Sequence, residues 1–434
     1  MPGMRFFVRL DAGIRKTTGD LGGPRIAGLR YFYFDGLFAS FSDNLVAGFL
    51  ELFLLSYGAS NELIGLNASI ANLCGALAIV PGAMAISRVS SRKRLIVLTG
   101  GGIGRLGLLA ISFVPLLAGD SGLAIVCLVC LNALRTAMGN FCNPAWTSLV
   151  ADLVPPTARA RYFGKRNVAI IASSIAAAPI AGRIVKSLSG IDRFPHLGFQ
   201  AIFFLSFAVG MLSTASFSRI PDASVSEASS SKPKGFPLRA ILADKRFAGL
   251  ALSAFVWNMA LQVPAPFFNV YLVSRLGASV AMVGILTAVS SVTTMLGQLI
   301  FGRMTDRKGD IFVQILTGLL IPILPLSWIL VTAPGQVVFI NIASGILWAG
   351  YNLASFNILL KLTPDDHRPE ATAIYQTLVM ASSVIGPLVG GALADSVGYK
   401  TVFAVSGVGR FLATLLFVAL VLRPGPLLRP RRSP

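Results

Sequence analysis

The second half of this chain repeats the first, and both halves consist almost wholly of apolar runs long enough to cross a membrane. At an offset of 209 positions Asn132 falls on Asn341, Asn143 on Asn352, Pro155 on Pro364, Arg159 on Arg368 and Gly182 on Gly391. Nearer the start an offset of 219 places Gly58-Ala59-Ser60 on Gly277-Ala278-Ser279, Gly65 on Gly284 and Ser87-Arg88 on Asp306-Arg307. Shared hydrophobicity alone does not align glycines, prolines and amides at one spacing. A parallel repeat of membrane segments implies two helical bundles arranged about a central site.

Composition supports this reading, because 54% of the 434 residues are hydrophobic and only 13% are charged, unlike a soluble domain. The expected fold is all-α: twelve transmembrane helices in two pseudo-symmetric six-helix bundles. Apolar runs place them at 31–56, 62–86, 95–117, 121–145, 165–187, 198–217, 248–274, 280–302, 311–332, 335–360, 371–394 and 399–421. The expected organisation is a basic N-terminal arm over 1–30, bundles over 31–217 and 247–421, a Ser/Lys/Pro linker over 218–246 and a basic tail over 422–434. The arm lacks the apolar core of a cleaved signal peptide.

A net charge of +19 would suggest nucleic acid in a soluble protein, but its placement here reads as topology. Alternate loops hold most of the cations: Arg88, Arg92, Lys93 and Arg94; then Arg159, Arg161, Lys165 and Arg166; then Arg303, Arg307 and Lys308. The central linker and both termini are basic as well. By the positive-inside rule both termini are cytoplasmic, and no nucleic-acid partner is expected.

Several formal motifs dissolve in context. Gly102-Ile103-Gly104-Arg105-Leu106-Gly107 fits a dinucleotide fingerprint but sits inside a helix with no strand before it, so close helix packing explains it. Cys127 and Cys130 have a metal-pair spacing without His or acidic company, and the two histidines, His196 and His367, lie near membrane edges. No metal or cofactor is expected.

Charges within the spans are the main site candidates, since an ionised group at mid-bilayer costs about 2.5–3.5 kcal/mol on insertion scales and needs a cavity or a partner. Asp35, Asp43 and Glu51 lie on the first helix, eight residues apart, stations along one path rather than a carboxylate dyad. Asp43, Arg105 and Arg135 fall near one depth. At the repeat offset Gln262 replaces Asp43. Asn258 and Gln262 share a face of the seventh helix, and Trp348 and Asn352 lie on the tenth, an amide-and-aromatic lining suited to a polar organic or amphiphilic solute. Interhelical hydrogen bonding is the competing explanation for each amide.

The stretch Gly302-Arg303-Met304-Thr305-Asp306-Arg307-Lys308-Gly309 resembles the G-x-x-x-D-R-x-G signature loop of the major facilitator superfamily. The counterpart in the first half keeps Arg88 but has Ser87 for the acid. Arg135-Thr136-Ala137-Met138-Gly139 is similar to the R-x-x-Q-G stretch of the superfamily's fourth helix. Gly386-Pro387-Leu388-Val389-Gly390-Gly391 resembles its antiporter stretch, displaced to the eleventh helix. This resemblance implies a cytoplasmic gate at Gly302, Asp306, Arg307, Gly309 and Arg88. It also implies a cavity lined by the first, fourth, seventh and tenth helices, which favours Asp43 facing Arg135; Arg105 and Arg410 are expected to pair structurally or to snorkel. The expected function is secondary transport of a small solute by alternating access, coupled to protons, by a monomer in a bacterial inner membrane, with efflux one of two open directions. A lipid-like amphiphile flippase, an ion carrier, or a non-transporting receptor or scaffold are the alternatives. Enzymatic activity is not expected, because no paired catalytic acids, nucleophile–base set or nucleotide loop is present.

Overall fold

A computed structural model describes residues 23–86, 88–119, 122–154, 159–188, 195–221, 244–362 and 368–421. Most of the expected linker, the first 22 residues, the final tail, Ser87 and His367 lie outside the described residues. Among the described residues the secondary structure is helical throughout, with no strand. Twelve helical segments are long and apolar enough to cross a membrane, from Pro24–Ser56 to Tyr399–Val421. Their outer surfaces carry large apolar side chains, with Leu117 at 86% and Leu330 at 79% exposure. Water would not tolerate so many; a lipid solvent removes the penalty. The chain is a multi-pass integral membrane protein.

Several ends differ from expectation, among them the end of the fourth helix at Leu153 rather than 145 and the start of the fifth at Arg159 rather than 165. The first helix begins at Gly23, so Arg25 and Arg30 are helical. Pro24 suits the first turn, where its missing N–H costs nothing, and Ile26, Leu29 and Phe32 bury the inner face. The eighth span runs on to Lys308, so Gly302, Asp306 and Arg307 are helical rather than in a loop. Gly309, with φ of 83°, ends that helix where a side chain would be strained.

Several spans are broken. The first divides into Gly23–Val46 and Phe49–Ser56 around Gly48, whose φ of 76° kinks the chain just after Asp43. The seventh divides into Lys245–Gln262 and Phe267–Ser274 across a segment with two prolines, and its first half ends on Gln262, the counterpart of Asp43. The third span contains a π-helical turn, Thr99–Gly104, immediately before Arg105. π-turns inside helices concentrate at functional sites.

Two compact units form. Among the described residues, one is drawn from 23–59, 70–221 and 277–288, the other from 60–69, 244–276 and 289–421. In the first unit the first span is bound to the sixth by reciprocal bonds, Ser42 Oγ to the Ser206 carbonyl at 2.7 Å and Ser206 Oγ to the Ser42 carbonyl at 2.8 Å. Tyr162 and Ser173 of the fifth span donate to the Leu29 and Leu37 carbonyls. In the second unit Ser406 of the twelfth span donates to the Ala260 carbonyl of the seventh, and Gln262 donates to Ser383 of the eleventh at 2.6 Å. The same joints recur with different chemistry.

Candidate functional site

The first unit encloses a cavity of about 440 Å³ lined by five charged residues: Asp35, Asp43, Arg105, Arg135 and Arg166. Its remaining wall is mostly small or neutral, including Gly100, Gly101, Gly104, Thr136, Asn140, Cys142, Trp146 and Ser213. The glycines belong to the π-turn and its flank, where lack of side chains opens the space. Gly104 and Gly107 face the fourth span, a Cβ on Gly107 falling 3.4 Å from Arg135 Cβ. The formal dinucleotide fingerprint is therefore a packing surface.

Asp43 pairs with Arg105, Nη1 to Oδ1 at 2.7 Å, and not with Arg135 as the resemblance implies. The physical reason is a prepared channel. Arg105 crosses above Gly210, where a Cβ would lie 2.7 Å from Arg105 Cδ. Its Nη1 also donates to Ser42 Oγ at 2.9 Å, so the residue beside Asp43 helps hold the guanidinium. The Asp43 side chain stays 56% exposed while Arg105 is 14% exposed, so the carboxylate remains accessible from the cavity.

Asp35 is buried. It accepts from Ser213 Oγ at 2.7 Å and lies 3.7 Å from Arg166 Nη2. Arg166 reads as a loop cation in the sequence because it follows Lys165, but the fifth span starts at Tyr162 and Arg166 is one turn inside. Its Nε donates to the Phe32 carbonyl at 3.2 Å and its guanidinium sits 4.1 Å over the Phe32 ring. Gly36 leaves the room, since a Cβ there would collide with that guanidinium. Sequence reasoning misses Arg166 and Ser213 as site residues. The one available signal is the pair of small residues, Gly36 and Ser213, on otherwise bulky apolar faces.

Arg135 lines the same cavity, and its Nη2 makes a 3.3 Å bond to Asn132 Oδ1. Glu51 does not line it; its Oε2 is buried without a hydrogen-bond partner, beyond the Gly48 break. The other expected pathway residues belong to the second unit. Asn258 donates to the Ala254 carbonyl of its own helix, and Asn352 is exposed. Trp348 packs edge-on to Trp257 and Tyr351 at 6.3 and 5.6 Å.

At the expected gate, Asp306, Arg307, Gly309 and Arg88 are exposed and Gly302 is half-buried. Asp306 has no ion-pair partner among the described residues. The paired acid nearby is Asp310, the first residue of the ninth span, which is buried and bound by Asn357 Nδ2 at 2.7 Å and by Lys361 Nζ. Its counterpart is Arg92, bound to Ser148 Oγ at 2.6 Å and to Asp152 at 2.7 Å. Ser148 matches Asn357 and Asp152 matches Lys361 at the repeat offset, so the two halves hold the same three-residue joint with the charges exchanged.

Comparison with known proteins agrees with this architecture. The family described as the Major Facilitator Superfamily matches residues 33–274 and 247–433. The staphyloferrin B transporter of Staphylococcus aureus is 30% identical over 175 residues, 39% of this chain and 41% of that protein. This chain therefore aligns with about two fifths of that relative's length. The multidrug resistance protein MdtG of Salmonella arizonae is 25% identical over 286 residues, 64% of this chain and 67% of that protein. Among solved structures, the nucleoside transporter NupG superposes with a TM-score of 0.70 at 14% identity, covering 93% of this chain and 100% of its own. That likeness shows the fold. Membership of the family points to a transporter rather than an enzyme. The chain belongs to the Major Facilitator Superfamily.

Proposed function

We propose that the protein is a secondary transporter that moves a small solute by alternating access and couples that movement to protons through Asp43. The observation that carries this reading is the accessible Asp43 carboxylate, held by Arg105 at the wall of a 440 Å³ cavity. An ionisable residue inside a membrane bundle, facing space and paired with a cation, is suited to proton exchange. Protonating Asp43 cancels the charge that Arg105 binds. Arg105 also bonds Ser42, which joins the first span to the sixth, so the change reaches a packed helix contact and the kink at Gly48. Such a joint is an element with two arrangements, which coupling needs. Relatives named as a staphyloferrin B transporter and a multi-drug resistance efflux pump support a small-solute cargo. The basic alternate loops support cytoplasmic termini, and bacterial relatives support a bacterial inner membrane. The protein acts as a monomer whose partners are its solute, protons and the bilayer.

The test uses protein reconstituted in vesicles with an imposed pH gradient. The radiolabelled solute is the one that most raises the unfolding temperature across a metabolite and drug panel. Asp43→Asn abolishes gradient-driven accumulation while solute binding and counterflow exchange persist. Gradient-driven transport at the native rate by Asp43→Asn removes Asp43 from the mechanism.

A further inference from the structure

We propose that the cavity of the first unit selects organic anions, and that Arg135 receives the anionic group. This rests on reading that cavity as the solute site. The lining holds two carboxylates, Asp35 and Asp43, and three guanidinium groups, Arg105, Arg135 and Arg166. Each carboxylate already faces its own arginine, Asp43 at 2.7 Å from Arg105 and Asp35 at 3.7 Å from Arg166, and Ser213 donates to Asp35 as well. The cation without a close carboxylate is Arg135; the acids that act on it from farther off are Asp43, held by Arg105, and Glu51, which does not line the cavity. Among the described residues Arg135 has no carboxylate within ion-pair distance, and its hydrogen bond is a long one, 3.3 Å to the neutral Asn132 amide.

Within the lining, a cationic solute meets carboxylates that each face an arginine, and one guanidinium more than there are carboxylates. An anionic solute meets a planar guanidinium with donors to spare. Arginine binds a carboxylate through two parallel N–H···O bonds, a geometry that neither an amide nor an ammonium solute reproduces. Arg135 is also held in position for this. It sits where Gly107 of the third span lets the fourth span approach closely, with Thr136 and Asn140 beside it as neutral polar wall. The aromatic Trp146 offers the rest of an organic anion an apolar surface in the same cavity.

Cys142 lines this cavity too, seven residues from Arg135 on the same helix, and so reports on occupancy. Replacing Cys74, Cys127 and Cys130 by alanine leaves Cys142 as the sole thiol. Its rate of labelling by N-ethylmaleimide is then measured in detergent against three probes of matched size: 1-naphthoate, 1-naphthamide and 1-naphthylmethylammonium. The expected result is half-protection by 1-naphthoate at a concentration about tenfold or more below that of the amide, with the ammonium weakest, as one charge-assisted pair implies. Arg135→Gln brings the three probes together, and Arg135→Lys, the milder change should the first disturb folding, keeps the anion first with a smaller margin. Preference for the ammonium, a naphthoate preference that survives Arg135→Gln, or protection by none of the three overturns the proposal. No gradient is present in this assay, so failure of proton coupling in the Asp43→Asn vesicles leaves its outcome unaffected, and the two readings fail separately.

Discussion

Arg105 and Arg410 are both guanidinium groups in the middle of spans, and they meet opposite surroundings. In the first unit Thr214 of the sixth span donates to the Gly101 carbonyl of the third, and in the second unit Thr414 of the twelfth donates to the Gly318 carbonyl of the ninth. With those joints as a frame, Arg410 stands where the first unit has Gly210, the residue over which Arg105 passes. The two units thus bring a guanidinium to one place from different helices. Arg105 finds Asp43. Among the described residues Arg410 has no acid within ion-pair distance, because Gln262 holds that position and donates to Ser383. Arg410 is 2% exposed, its Nε and Nη2 have no hydrogen-bond partner, and its guanidinium lies 5.9 Å over the Trp348 ring. Beside it Trp257 stacks on Tyr351 at 4.3 Å. The cavity there is about 20 Å³, against 440 Å³ in the first unit. One scaffold therefore holds an open site with a paired carboxylate in one unit and a filled aromatic one in the other. The repeat supplies the frame, and the residue at one position, Asp43 or Gln262, decides which unit holds an acid beside its guanidinium.

The widest separation of the two units should come from breaking an ion pair that has no water to fall back on. Arg166→Met leaves the Asp35 carboxylate, whose side chain is 11% exposed, with only Ser213 for a partner. Removing one member of a buried pair costs about 3–5 kcal/mol, and the expected loss is read from the midpoint of unfolding in a sodium dodecyl sulfate titration. A loss below about 1 kcal/mol would show that the pair is solvated from the cavity. The exchanged joints give a smaller, reversible effect. Arg92→Asp or Asp152→Lys alone places like charges together and should cost about 1–2 kcal/mol, the half-exposed Asp152 limiting the penalty. Combining them reproduces the polarity of Asp310 and Lys361 and should recover most of that loss, a coupling read from the double-mutant cycle. If the double variant is as unstable as the sum of the singles, the two joints are not equivalent. Asp306→Asn should cost under about 0.5 kcal/mol, because the side chain is exposed and unpaired among the described residues. A gate role for Asp306 would appear instead as altered cross-linking between spans, with stability unchanged.

Most helices are legible in the sequence because a membrane span is written in length and apolarity, both local properties. The failures come where charge sits inside a helix. Arg25 and Arg30 look like an arm, and Arg303 to Lys308 like a loop, because long cationic side chains can extend a helix beyond the apolar run. The site is legible only in part. Asp35, Asp43 and Arg135 stand out as charges in apolar runs and do share a cavity. Their partners are not readable, since pairing depends on which glycine leaves a channel: Gly210 gives Arg105 to Asp43, and Gly36 gives Arg166 to Asp35. Nothing local to residue 105 or 166 announces a glycine on another helix. Arg166 is further hidden by Lys165, which makes two neighbouring cations look like one loop. The repeat helps with position and misleads on chemistry, as the exchanged charges of Arg92 and Asp310 show.

A net change near zero is expected at Arg410, and it tests the comparison most directly. If Arg410 were the working counterpart of Arg105, its removal should cost stability on the scale of a broken pair. The structure gives it no pair to break. Two of its guanidinium nitrogens are buried and unbonded, and an unsatisfied buried donor costs about 1–3 kcal/mol, more when charged. Its favourable contact is with the face of Trp348, worth up to about 2 kcal/mol when desolvated. Arg410→Met keeps the length of the side chain and its packing, discards the unbonded donors and retains contact with the ring through sulfur. The two terms nearly offset, so the variant should unfold within about 1 kcal/mol of the native protein, or slightly later. Arg105→Met in the first unit should be distinctly destabilised, because it strands Asp43 and empties the channel over Gly210. Equal losses at the two arginines would mean that Arg410 has an anionic partner in solution, and the contrast between a charged unit and an aromatic one would fail.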